Sequence, residues 1–208
     1  MSPAAEPQAR PLRRDAARNK ELVLQAATEV FAEQGLEAGI DEIAARAGVG
    51  VGTLYRRFPT KEALVSCLID QLVREILELG KRALAEPDGH GLEKCLRRTG
   101  EVLVANFGYL SRLWRGGLSA EQREELRGVV LHPLLAQAQA AGTVRPEITV
   151  SDISVLLWSL QHVISMTAVV APDAWQRHLD ILLAGIAPIH RDITHQPMTM
   201  DEVTAALA

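Results

Sequence analysis

The stretch Gly48-Val-Gly-Val-Gly-Thr-Leu-Tyr-Arg-Arg-Phe-Pro-Thr-Lys61 constrains this chain more than any other part of it. Glycine at 48 tolerates the left-handed backbone of a tight turn, and Pro59 ends whatever helix precedes it. Ile40 to Ala47 reads as a short helix before the turn, and Val51 to Phe58 as another after it. Glycines beside Thr53 and a basic cluster also raise the question of a phosphate loop. A nucleotide-binding loop needs GxxxxGK[ST] after a strand, with lysine beside the last glycine. Here Thr53 follows Gly52, no lysine adjoins it, and no strand precedes Gly48. A dinucleotide fingerprint fails too, because Thr53 stands where its third glycine belongs.

Two short helices joined by a glycine turn are the signature of a helix-turn-helix. Ala44 allows a close crossing, and Ile43, Val49 and Leu54 supply a shared core. A third wall comes from a helix predicted over Asp15–Gln34, where Leu22, Ala26, Val30 and Phe31 recur at helical spacing and Gly35 stops the run. The second helix then turns Val51, Gly52, Thr53, Tyr55, Arg56 and Arg57 outward.

Charge supports a polyanionic partner. The net charge is −4, but residues 1–61 hold nine Lys/Arg against eight Asp/Glu, and the remainder thirteen against eighteen. Ile43 to Lys61 contains no acid and four bases, Arg46, Arg56, Arg57 and Lys61, and Arg10, Arg13, Arg14, Arg18 and Lys20 precede it. A basic face on an acidic chain is the footprint of a protein that meets nucleic acid.

Downstream the pattern stays helical. Thr60 N-caps a long helix from Lys61 to about Leu84, a further helix covers Leu92 to Phe107, and Ser119 with Gln122 forms a capping box. The helix from that box is predicted to reach Ala141, bent or split by Pro133. Ser151 to Val170 is apolar on nearly every side, and Pro172–Asp173 opens a helix to about Ile186. A small helix is expected after Thr199, which pairs with Glu202 in another box. No segment alternates as a strand, so the expected fold is all-α: a three-helix domain with the helix-turn-helix, then a larger helical bundle. Cys67 and Cys95 form no CxxC, and no apolar run reaches the roughly 18 residues of a spanning helix. A soluble cytoplasmic protein without a membrane partner is expected.

At residues 15–65 the chain resembles the DNA-binding domain of the TetR family of bacterial transcriptional regulators. The text "AATEVFAEQGLEAGIDEIAARAGVGVGTLYRRFPTKEAL" carries the likeness, most specifically its Ala-Gly-Val turn, its Gly-Thr-Leu-Tyr-x-x-Phe helix and the Thr-Lys-Glu-Ala-Leu after it. The resemblance implies that Thr53, Tyr55 and Lys61 grip DNA phosphates, that Val51 and Gly52 approach bases, and that Arg57 is a basic contact. Arg56 and Arg14 of the arm complete the expected DNA-binding set. Hydroxyls and a lysine suit phosphate oxygens, and arginine can also fork onto guanine. Two departures stand out. Gly50 and Val51 occupy positions where members often carry Ser or Thr and lysine, and Gly39-Ile40 replaces a Thr or Ser cap.

The resemblance divides the chain into a disordered basic arm (1–14), a DNA-binding domain (15–60), a ligand-binding and dimerisation domain (61–188) and a tail (189–208). It implies a homodimer through helices at about 151–170 and 172–186, a double-stranded, palindromic operator and a small-molecule effector that releases a repressor from it. Phe107, Trp114, His132, Trp158, Gln161, His162 and Met166 are the candidate pocket lining, a mixture of apolar walls and polar tips. No GxSxG, HExxH or motif-placed carboxylate pair supports an enzyme, and no cofactor is implied. His190 and His195 do not share a helix face, so no metal site is expected. The competing reading is a helical ligand-binding or scaffolding protein whose DNA-binding domain has weakened, which the apolar Val51 and uncapped Gly39 keep open.

Overall fold

The computed structural model describes residues 9–86, 88–110, 118–188 and 195–205, with side chains described from Arg18 onward except those of Met200, Val203 and Ala205. It is all-α, with no strand among the described residues. Two compact units divide between Leu68 and Ile69.

The first unit holds α1 (Ala9–Gln34), α2 (Ile40–Ala47), α3 (Val51–Arg57) and the start of α4 (Lys61–Leu84). Helix α1 begins at Ala9, not at Asp15, so residues 9–14 are helical rather than part of a disordered arm. Pro11 lies in the first turn, where its missing N–H costs no intrahelical bond, and the Arg- and Ala-rich residues after it favour helix. Residues 1–8 lie outside the described residues. Ala27, Val30, Phe31, Ile43, Ala44, Leu54 and Leu64 are almost fully buried and form the core of this unit.

Gly48 follows α2 in the left-handed conformation, φ 66° and ψ 28°. Its N–H donates to the Ala45 carbonyl at 3.2 Å, and the Val49 N–H donates to that of Ala44 at 3.0 Å. Both bonds of a Schellman turn are therefore present, and they satisfy carbonyls that the end of α2 would leave bare. Helix α3 ends one residue earlier than predicted. Phe58 is already extended, as a residue before proline prefers, and its ring is buried. Thr60 Oγ1 accepts from the Ala63 N–H at 3.1 Å, the expected cap of α4.

The second unit continues with α5 (Gly91–Ala105), α6 (Ala120–Glu125), α7 (His132–Ala140), α8 (Val150–Thr167), α9 (Ala174–Ile186) and α10 (Met200–Ala205). Helix α5 packs on α7, α8 and α9, and α8 packs on α9 and α10. Three capping boxes fix helix starts. Ser119–Gln122 and Thr199–Glu202 were legible, and Thr149–Asp152 opens α8 as a third. The helix predicted through Pro133 is split, as expected, but in a particular way. Between α6 and α7 the chain takes π-helical form over Leu126–Leu131. Proline has no N–H to give and its ring would meet the carbonyl four residues back, at Val129, so a wider register upstream removes both conflicts.

Close approaches hold the bundle. A Cβ built on Gly100 of α5 would overlap the buried Trp175 ring of α9, and one on Gly80 of α4 would overlap Val130 of the π segment. Arg145, buried, donates from its backbone N–H to the Ile186 carbonyl at 3.1 Å and from Nη2 to that of Gly185 at 2.9 Å. It thus closes the C-terminal end of α9 with a cation, the sign that end favours. Gly100→Ala is expected to destabilise the second unit by about 1–3 kcal/mol through overpacking. Chemical denaturation, read by Trp fluorescence, measures it.

Candidate nucleic-acid interface and ligand cavity

Helix α3 has seven residues, too few to be stable in isolation. It starts on Gly50, whose backbone is extended and which offers no side-chain cap, just as α2 starts on Gly39. What holds it is burial of Leu54 and Phe58 on its inner side. With Leu54 fixed inward, helical geometry sends Val51, Gly52, Thr53, Tyr55, Arg56 and Arg57 to solvent, and all six are exposed. Tyr55 is 45 % exposed and Val51 39 %, high for side chains of this size. Lys61, in the first turn of α4, is half-buried. Nothing lies within 4 Å of where a Cβ on Gly52 would sit, so the helix face there is open.

One hydrogen bond organises this face. Arg56 Nη2 donates to Thr53 Oγ1 at 3.1 Å. A hydroxyl that accepts from a guanidinium keeps its own proton free to donate outward, which is what a phosphate oxygen requires. Arg56, expected to act as a contact in its own right, also orients Thr53.

The acid-free run in the sequence overstates the positive charge of the surface. Arg46 is paired across to α1: Nη1 and Nη2 donate to the two Glu33 carboxylate oxygens at 2.9 and 2.8 Å, and Glu29 lies 3.7 Å from Nη1. The bidentate bond holds the Glu33 carboxyl below its ordinary pKa and raises that of Arg46. Arg46 therefore serves as a strut between α1 and α2, and the positive charge of the reading face falls to Arg56, Arg57 and Lys61. The side chain of Arg14 lies outside the described residues.

The second unit contains a cavity of about 110 Å³. Its walls come from α4 (Val73, Ile76), α5 (Leu96, Leu103), the π segment (Leu126, Val130), α8 (Leu157, Trp158) and Thr204 of α10. The polar groups on it are Thr99, Arg123, Arg127, Ser154 and Thr204, and Cys95 adds a thiol that burial pushes up to about 11 and so keeps neutral. Of the residues expected to line a pocket, Trp158 does so. Phe107 and Gln161 are half-buried elsewhere, His132, His162 and Met166 are exposed, and Trp114 lies outside the described residues. Position along α8 decides this. Ser154, Leu157 and Trp158 of its first half line the cavity, whereas Gln161, His162 and Met166 lie a turn or more further on, past its end; exposed Val155 points away from it. The arginines were missed, although Arg123 and Arg127 stand four apart, on one face of the helical pattern read after Ser119. Among the described residues no group of three or more His, Cys, Asp or Glu is placed to hold a metal ion, and His190 lies outside them. Nor is any described helix long and apolar enough to cross a membrane.

A three-helix unit with an exposed second turn-helix and outward hydroxyls, guanidinia and lysine defines a helix-turn-helix protein. Two family models match the chain: bacterial regulatory proteins of the tetR family over residues 23–67, and the SbtR-like transcriptional regulator C-terminal domain over 109–188. A solved TetR regulatory protein from Mycobacterium vanbaalenii is 36 % identical, with 86 % of this chain and all of that one covered and a TM-score of 0.63. A TetR regulator from Streptomyces coelicolor, SCO0520, is 32 % identical over 82 % of this chain and 99 % of its own, with a TM-score of 0.62. The chain belongs to the TetR family.

Among curated relatives, the transcriptional repressor Rv3405c of Mycobacterium tuberculosis is 40 % identical over 83 residues, 39 % of this chain and 43 % of that protein. The regulator EthR of the same species is 30 % identical over 122 residues, 57 % of this chain and 56 % of its own. The chain thus spans about half the length of the curated relatives it matches.

Two glycines test the architecture of the reading face in opposite ways. Gly48→Ala is expected to destabilise the first unit by about 1–2 kcal/mol, because an alanine is strained in the left-handed turn. Gly52→Ala is expected to leave the fold as stable or up to about 1 kcal/mol more so, since alanine is the better helix former. It should nonetheless weaken DNA binding by placing a methyl on the open face. Thermal unfolding together with a fluorescence-anisotropy DNA titration separates the two.

Proposed function

We propose that this chain is a homodimeric, sequence-specific DNA-binding transcriptional regulator, a repressor that a small molecule releases from its operator. The observation that carries the reading is the outward set on α3 and α4: Thr53, Tyr55, Arg56, Arg57 and Lys61 around an open Gly52. Thr53, Tyr55 and Lys61 bind phosphates of the duplex, Arg57 joins them or reads a base, and Val51 touches a thymine methyl. Such contacts are too few for strong specificity from one copy, so two copies read a palindrome. The protein would act in the cytoplasm, where such DNA lies.

Dimerisation is assigned to α8 and α9. Met166 near the end of α8, Val169 and Val170 in the turn after it and Ile181 of α9 leave large apolar side chains in solvent, Val169 at 83 % exposure. Apolar surface of that kind on two helices that pack together supports a self-complementary interface. The cavity serves the effector. Helix α4 carries Lys61 at one end and Val73 and Ile76 of the cavity wall further along, so a ligand that binds two positions of α4 unequally changes the spacing of the reading helices.

Selection of bound fragments from random DNA tests the reading directly. Recovery of a palindrome supports it, and binding without sequence preference or salt dependence defeats it. Lys61→Ala and Tyr55→Phe are expected to weaken all sequences by similar factors, and Lys61→Ala to lower the slope of log affinity against log salt by about one. Met166→Glu with Ile181→Glu is expected to give a folded monomer by sedimentation, with at least about tenfold weaker operator binding.

A further inference from the structure

We infer that the cavity selects a small apolar monocarboxylate, whose head pairs with Arg123. This rests on the reading of the cavity as the effector site and adds the chemical class of the effector. The walls are almost wholly hydrocarbon, and no Asp or Glu lines them. Two arginines do, and their heads differ in how they are engaged. Arg127 is paired with Glu124. Arg123 gives one N–H to the Leu118 carbonyl at 2.7 Å and has no carboxylate partner among the described residues. Its remaining N–H groups are donors without acceptors, on the edge of an apolar space. The indole N–H of Trp158, on the same wall, likewise has no hydrogen-bond partner among the described residues.

An acid-free wall that carries two arginines favours an anion over a cation, and one guanidinium without a carboxylate partner favours a single negative charge. The planar fork of arginine matches a carboxylate in particular. The volume of about 110 Å³ lies below the ~300–1,000 Å³ of sites for drug-sized ligands, so the apolar body is short. The π segment adds a reason why the charge sits here. Its wider register lies between α6, which holds Arg123, and Pro133, and it presents Leu126, Arg127, Val130 and Leu131 to the same space.

The test is calorimetric titration of the full chain with hexanoate and with 1-hexanol, which share an apolar body. Hexanoate is expected to bind about tenfold more tightly. Arg123→Gln is expected to bring hexanoate down to the affinity of the alcohol and to leave the alcohol unchanged. Should that variant fail to fold after losing its bond to Leu118, Leu126→Phe, which takes up part of the cavity, must weaken the hexanoate signal. Equal affinity for acid and alcohol, a preference that survives Arg123→Gln, undiminished hexanoate binding to Leu126→Phe, or no binding of either compound overturns the inference. Hexanoate that binds as described but never loosens the operator complex counts against the regulatory reading and leaves this inference standing.

Discussion

Everything the reading face can do depends on the burial of Leu54 and Phe58. Helices α2 and α3 have eight and seven residues, each shorter than the roughly 12–15 a helix needs to persist alone in water. Neither has a side-chain N-cap, and α3 carries a glycine in its interior. Local propensity therefore works against α3. Fully burying a side chain such as Leu or Phe contributes about 1.5–3 kcal/mol, enough to outweigh the ~1 kcal/mol that Gly52 costs against alanine. The left-handed Gly48 then sets the angle at which α3 leaves α2. A face built this way spends its inner residues on anchorage and leaves every outward one free for a partner.

The same economy appears in the charges. A run without acids in sequence becomes, in space, a surface in which one of its four bases is already neutralised. Arg46 reaches Glu33 with a bidentate bond, and the pair is solvent-exposed, so it adds direction more than stability. It ties α2 to α1 while the remaining cations stay on α3 and α4. Concentrating the unpaired positive charge beside the outward hydroxyls suits a backbone of phosphates better than a diffuse basic surface would.

How much of this was legible in the sequence follows from how local each feature is. The turn at Gly48, the starts of α2 and α3 and the cap at Thr60 depend on neighbours a few residues apart, and spacing alone predicts them. The break at Pro133 was legible too, but its π-helical form was not, because proline forbids one register without naming its replacement. Arg46 looked free because Glu33 is thirteen positions away and belongs to another helix. The cavity was least legible of all. Its walls come from helices far apart in the chain, and how far along α8 the cavity reaches, which no pattern along an almost uniformly apolar helix reveals, decides that Trp158 lines it and Met166 does not. Residues with polar tips were the natural guess for a lining. The structure instead sets hydroxyls and arginines from other helices against hydrocarbon.

A cavity of this size also limits how a ligand can act. Interiors are packed like crystals, so a molecule larger than the space must move a wall. The walls are unequal. Helix α10 is six residues long and packs on α8, the slightest of the walls. The π segment is held more closely, because Val130 already sits where a Cβ on Gly80 of α4 would be. On that side the two segments meet without room for a methyl group, so they are packed as one. On the proposed reading, a ligand that only pushes α10 aside leaves these contacts alone, whereas one held at Arg123 bears on the π segment, beside the Val73 and Ile76 wall that α4 supplies itself. If the proposed effector site is right, the position of the charge, more than the volume of the ligand, would decide whether binding bears on the helix that begins at Lys61.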